Sequence, residues 1–298
     1  MKKIPLTYFF EFSAVDDDKR RSILHEFSLA GAENIVLSPY FINAVRNDCR
    51  MGDIFLKEME FEGLSFMDAH SPCGRNIDLN CPDEEWRKKS FELHSDSLHI
   101  AADMGVKTIT IHVGTDCIFP GISGAEHLEN IRRMLEKLLP CAEKNKIAIC
   151  IENIWSPCNS PESLLYLKNC FDSEYLGFCY DSGHANLMDK GRNFAECNAA
   201  DCWRFAGVEP QWEDAALEKM LPYVMNCHLH DNDGFSDTHS GIGSETVDFN
   251  HIISLLRSAP KLQCIQSEVK SDVHNISVKK LCFDLETAVA LKKSDYML

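Results

Sequence analysis

The stretch "KIAICIE", residues 146–152, is the one whose reading decides the fold. Side chains alternate faces along an extended segment, so Glu152 shares a face with Cys150 and Ala148. Ile151, Ile149 and Ile147 take the opposite face. The bulky face suits contact with helices, and the small face suits an interior that ends in a carboxylate.

The same grammar recurs outward in both directions. Before it lies "EHLENIRRMLEKLLPCAEK" (126–144), with Leu and Ile at three- and four-residue steps, which predicts an amphipathic helix. After it comes "YLGFCYD" (175–181), where Asp181 shares a face with Cys179 and Gly177, opposite Tyr180, Phe178 and Leu176. Further strands are expected at 6–12, 34–40, 64–70, 107–113, 224–230 and 262–268, and further helices at 83–105 and 248–259. The acidic run "DDDK" (16–19) reads as a helix start. Eight strands alternating with helices in 298 residues point to an α/β fold, a single-domain (β/α)₈ TIM barrel over 1–298. A doubly wound open sheet is the structural alternative. Its dinucleotide-binding form is disfavoured because the first strand–helix turn, "EFSAVDDD", lacks a G-x-G-x-x-G loop.

Barrel active sites sit at the C-terminal ends of the strands. Here six successive strands finish on a possible metal ligand: His70, His112, Glu152, Asp181, the pair His228 and His230, and Glu268. His112 shares its face with Thr110 and Thr108, so small or polar residues again accompany the ligand. The loop "NCHLHDNDGFSDTHSGIG" (226–243) adds Asp237 and His239. Taken singly, each His reads as a hydrogen-bonded structural residue. Their common placement argues for a divalent metal site, with one core ion and room for more. Carboxylates and imidazoles without thiolates suit Mn, Co, Mg, Fe or Zn.

Composition narrows the rest. A net charge of −16, from 30 Lys and Arg against 46 Asp and Glu, argues against a nucleic-acid partner. The 14 cysteines contain no C-x-x-C pair and read as small core residues of a reduced, cytoplasmic protein. Neither a secretory leader nor a membrane span is expected. A homo-oligomer is compatible with the chain.

The segments "DAHSP", "IHVG", "IEN", "YDSGHAN", "HLHDNDG…DTHSGIGSETVDF" and "SE" resemble the xylose isomerase-like barrel superfamily. It joins sugar and sugar-phosphate isomerases and epimerases to endonuclease IV-type apurinic endonucleases. The resemblance runs from about residue 64 to 270 and implies a core metal held by Glu152, Asp181, one strand-seven His and Glu268. His228 fits the family spacing best, and His230 remains a contender. In the endonuclease branch, matches to His70, His112, His184, Asp237 and His239 would hold additional metals. Ketose 3-epimerases of this type carry a second Glu six residues after the first, where this chain has Cys158, and an Arg after the metal His, where it has none.

The favoured expectation is a metal-dependent isomerase or epimerase acting on a small carbohydrate through an enediolate. Glu152 and Glu268 would be its acid–base pair. His70, His112, His184, Trp155 and Lys270 are expected to touch substrate, with Arg75 a further cation near the mouth. The alternatives are an endonuclease IV-like phosphodiesterase acting on abasic DNA, and a barrel that binds metal or sugar without turnover.

Overall fold

A computed structural model describes residues 4–290. Eight parallel strands close into a barrel in sequence order. They are β1 (Leu6–Tyr8), β2 (Asn34–Leu37), β3 (Ser65–His70), β4 (Thr108–Ile111), β5 (Ala148–Glu152), β6 (Leu176–Asp181), β7 (Val224–Leu229) and β8 (Ile265–Ser267). The registers Asp181↔His228 and His228↔Gln266 set the ends of β6, β7 and β8 level with one another. The expected barrel and all eight strand positions are therefore present.

All eight strands are shorter than the sequence suggests, β1, β2, β4 and β8 by three or four residues each. The second, expected through residue 40, stops at Leu37, and helix Pro39–Asn47 begins with Pro in its first turn. Proline fixes its own φ at a helical value and has no N–H to donate, so the first helical position suits it. The first strand stops at Tyr8, and Phe12–Ala14 forms a short 3₁₀ turn held by the Glu11 carboxylate.

The alternation read from the sequence sorts the barrel wall. Ile149, Ile151, Ile109, Ile111, Leu176 and Phe178 are fully buried in the main apolar core, on the helix-facing side. The opposite face carries Cys150 and Cys179, and the ligand-type residues continue it upward. The helices expected at 126–144 and 83–105 are Gly124–Asn145 and Glu84–Asp103, capped by Ser123 and Asp83. Each cap oxygen accepts a backbone N–H from the first turn, which satisfies a donor the helix cannot. The third expected helix is Phe249–Leu256, capped by Asp248. Between β6 and β7 lies an addition the alternation did not foresee, with helices Ser182–Leu187, Asn198–Phe205 and Ala216–Met220. Its own apolar cluster holds Leu187, Met188, Cys197 and Trp203, with Trp155 packed against it. Among the described residues, no helix is long and apolar enough to cross a membrane.

Candidate metal centre

His70, Glu152 and Asp181 are the last residues of their strands, while His112, His230 and Glu268 stand just beyond β4, β7 and β8. His228 is one residue from the end of β7. Strand closure brings all of them to one mouth. His228 Nδ1 lies 3.3 Å from Glu152 Oε1, 3.1 Å from Glu268 Oε2 and 4.0 Å from Asp181 Oδ2. Glu152, Asp181, His228 and Glu268 can therefore converge on one ion.

His230 belongs to a different set. Its Nε2 lies 3.1 Å from Asp181 Oδ1 and 3.9 Å from Asp237 Oδ1. With His184, Asp237 and His239 it forms a second convergent group. The two strand-seven histidines thus fall in different convergent groups. A third group holds His70, Glu152 and His228, and His112 Nε2 stands 3.1 Å from Glu152 Oε2. Glu152 and His228 are both common to the first and third groups, and Glu152 turns Oε1 to His228 and Oε2 to His112.

The donor chemistry fits divalent ions. A ligating imidazole is oriented when its other nitrogen donates to a carbonyl or carboxylate. His70 Nδ1 donates to the Ser71 carbonyl at 2.8 Å, His184 Nδ1 to Asn153 at 3.0 Å, and His239 Nδ1 to Glu268 at 2.8 Å. Each Nε2 is left to face the carboxylates. Two buried polar atoms in this cluster, Asp237 Oδ1 and His230 Nδ1, have no hydrogen-bond partner, and Glu152 Oε2 has the His112 ion-pair contact instead. Buried groups of that kind call for a partner from outside the protein.

Electrostatics point the same way. Burial would raise the Glu152 carboxyl, but His228 and His112 hold it well below the usual carboxylate range. Glu268 is lowered against the same burial, chiefly by His228, and Asp237 chiefly by His184. Burial would lower the His184 and His228 imidazoles. Asp181 and Asp237 raise the first, and Cys179 and Glu268 the second, well above its ordinary value. His70 departs from this pattern, brought down to about 4 by burial and by His112. Without metal, imidazolium protons supply the positive charge that these carboxylates require.

Local backbone holds the ligands in place. Gly183 opens helix Ser182–Leu187, and a Cβ there would stand 2.0 Å from His230 Cε1, so only glycine admits the ring. His239 has φ 50, the left-handed region that non-glycine residues rarely occupy. It is pinned by the Asp231–Ser240 backbone pair and by the Lys270 N–H, which donates to its carbonyl at 3.0 Å. Asp231 organises the loop, accepting from the N–H groups of Glu245, Thr246 and Val247 at 2.8–3.0 Å.

The other expected residues divide. The Trp155 ring meets His184 edge-on at 5.0 Å and walls one side of the mouth. Lys270 is exposed and meets the His239 carbonyl through its backbone N–H. Arg75 is exposed, with its guanidinium over the Phe119 ring. Sequence reasoning missed Asn153, whose side chain exchanges hydrogen bonds with the Asp181 backbone, although it stands in the quoted "IEN". It also missed Phe9, whose ring lies 6.4 Å from that of His70, because β1 ends without a polar residue to mark the mouth.

A family profile described as the xylose isomerase-like TIM barrel matches residues 36–270. Uncharacterized protein MJ1311 of Methanocaldococcus jannaschii is 26% identical over 195 residues, 63% of this chain and 59% of that protein. Probable endonuclease 4 of Thermotoga neapolitana is 26% identical over 203 residues, 65% of this chain and 66% of that protein. The aligned region thus spans less than two thirds of either relative. Among solved structures, a D-tagatose 3-epimerase-like protein superposes with a TM-score of 0.71 at 19% identity, covering 96% of this chain and 98% of the other. At that identity the likeness is one of fold.

Proposed function

We propose that this chain, which belongs to the xylose isomerase-like TIM barrel family, is a divalent-metal hydrolase that opens a phosphoester bond in a small phosphorylated molecule. The observation that carries this reading is the position of Glu152 between two donor groups, with a third group adjoining through Asp181 and His230. Sites that share carboxylates between ions suit in-line displacement at phosphorus.

Glu152, Asp181, His228 and Glu268 would hold the core ion. His184, His230, Asp237 and His239 would hold a second, and the third group, His70 with Glu152 and His228, overlaps the core set and has His112 beside it. Bound ions of this kind polarise phosphoryl oxygens and make water acidic near neutral pH. The chain's own residues supply the rest. Asp237 Oδ1, buried and without a hydrogen-bond donor, is left free to complete the second ion's ligand set. Trp155 excludes bulk water beside His184. Small substrates are favoured because residues 226–247 contain no Lys or Arg and the net charge is −16. A polynucleotide backbone would have to be held by cations.

One observation favours a second reading, the sugar isomerase or epimerase. Glu152 and Glu268 both approach His228 Nδ1, so two carboxylates face one volume, as an acid–base pair requires.

Metal content per chain, measured beside three assays, separates these readings. The assays are hydrolysis of bis(p-nitrophenyl) phosphate and sugar phosphates, cleavage of an abasic duplex, and deuterium exchange into ketoses. More than one ion per chain with small-phosphoester hydrolysis supports the proposal. A single ion with exchange and no hydrolysis replaces it by the isomerase reading, and duplex cleavage by the endonuclease reading. Metal binding with no turnover in any assay would leave a binding barrel.

A further inference from the structure

His228 is anchored differently from its neighbours at the mouth. His70, His184 and His239 are held through Nδ1 by backbone carbonyls. In His228 it is Nδ1 that faces Glu152 and Glu268, and Nε2 meets the side chain of Thr110, 3.4 Å from its Oγ1. Thr110 Oγ1 in turn lies 3.4 Å from Asn226 Nδ2, which also donates to Asp68 Oδ2 at 2.8 Å. The Asn226 amide has its orientation set from the other end. Its Oδ1 accepts the Cys227 N–H at 2.8 Å and the Cys264 thiol at 3.3 Å.

Asp68, Thr110 and Asn226 form a floor beneath the ligands. Each stands two residues before a histidine of the mouth, His70, His112 and His228 in turn, and so shares its face. All three are fully buried. Bulky branched side chains dominate the interior of such barrels. Burying polar groups there costs stability unless they are hydrogen-bonded. A floor of Asp, Asn and Thr is therefore held together by the bonds that run up to His228.

We propose that Asp68, Asn226 and Thr110 are positioning residues for the core ion, a brace that holds His228 with its proton on Nε2 and its Nδ1 open to the metal. The brace rests on the core ion of the proposed function and not on the bond that function breaks. A neutral imidazole carries one proton, and its other nitrogen is the ligand. With the ion on Nδ1 the proton sits on Nε2 and needs an acceptor, which Thr110 Oγ1 supplies. One Asn226 N–H fills another lone pair of that hydroxyl and keeps it under the ring. Asp68 takes the second Asn226 N–H and fixes the amide across the barrel. Partners of this kind are worth about 10–100-fold in metal affinity.

The test grows the full chain with nitrogen-labelled histidine, loads it with NMR-active cadmium and records which His228 nitrogen couples to the ion. Coupling at Nδ1, with a proton on Nε2 that exchanges slowly with solvent, is expected. Thr110→Val keeps the volume and removes the acceptor. It should shift the Nε2 proton resonance and weaken cadmium binding at the core set by about 10–100-fold, and Thr110→Ser should restore both. Asn226→Leu should act like Thr110→Val. A floor that only fills space would lower Tm in these variants without moving the Nε2 proton. Coupling at Nε2, or a proton resonance and affinity unchanged in Thr110→Val and Asn226→Leu, overturns the proposal. The wild-type spectrum decides even if a variant fails to fold. Turnover is not read, so cadmium on Nδ1 without phosphoester hydrolysis removes the proposed reaction and keeps the brace. Hydrolysis with coupling at Nε2 does the reverse.

Discussion

The imidazoles of His230 and His239 are stacked, with ring centroids 3.8 Å apart and planes 14° from parallel. Two imidazolium ions would repel at that separation, whereas two neutral ligands of one ion would not. His239→Ala should therefore lose about one ion per chain and leave the core set loaded. Elemental analysis after gel filtration checks this. Unchanged metal content would remove His239 from the second group.

Glu152 turns one oxygen to His228 and the other to His112. In Glu152→Gln an amide donor replaces one of those anionic oxygens. Turnover should fall by roughly 100-fold or more, with metal lost from two groups rather than one. A variant that kept full metal and lost only proton exchange would favour the isomerase reading instead.

Stability should respond to pH in opposite senses with and without metal. In the metal-free protein His184 and His228 are raised by facing carboxylates against burial, so their contribution is complete below the ordinary histidine range. It is lost as pH rises through the raised values. Glu152 and Glu268 are lowered, so theirs is complete above the ordinary carboxylate range and lost as pH falls. Chelated protein should be most stable between about pH 4.5 and 6.5. Metal binding displaces the imidazole protons, so the gain in Tm on loading should widen from pH 6 upward. Thermal melts with and without chelator measure it, and a pH-independent gain would contradict the assignment.

Gly183→Ala places a methyl 2.0 Å from His230 Cε1. The clash forces the ring to move, and moving costs it the contact with Asp181. A loss of about 1–3 kcal/mol is expected, with weaker binding at the second group. Calorimetry and metal titration read the two effects separately.

Asp231→Ala removes the acceptor for four backbone N–H groups, those of Asn232, Glu245, Thr246 and Val247, at the base of the loop. Leaving them unpaired should cost about 1–3 kcal/mol and speed amide exchange across residues 245–247. Unaltered exchange there would show that the loop is held elsewhere.

The barrel was legible because strands buried on one face by helices alternate Ile with small residues, as 147–152 does. The residues that gather at the mouth were legible because each stands at or next to the end of such a strand. Which strand-seven histidine belongs to which set was not, since His228 and His230 share a face and differ only in depth along it. Asn153 and Gly183 escaped for another reason. One acts through backbone hydrogen bonds and the other through the absence of a side chain, and neither leaves a charge pattern. The addition after β6 hid because its apolar cluster is assembled from short helices with no long period.

The placement of Glu152 has a thermodynamic consequence as well as a chemical one. A carboxylate that serves two donor groups links their occupancies, since an ion on one oxygen changes the field and the rotamer felt at the other. By reciprocity, whatever the first ion does to the affinity for the second, the second does to the first. Loading should then follow a cooperative or anticooperative isotherm rather than a sum of independent ones. The fraction of fully loaded barrels at a given free-metal level would accordingly be steeper or shallower than separate affinities predict.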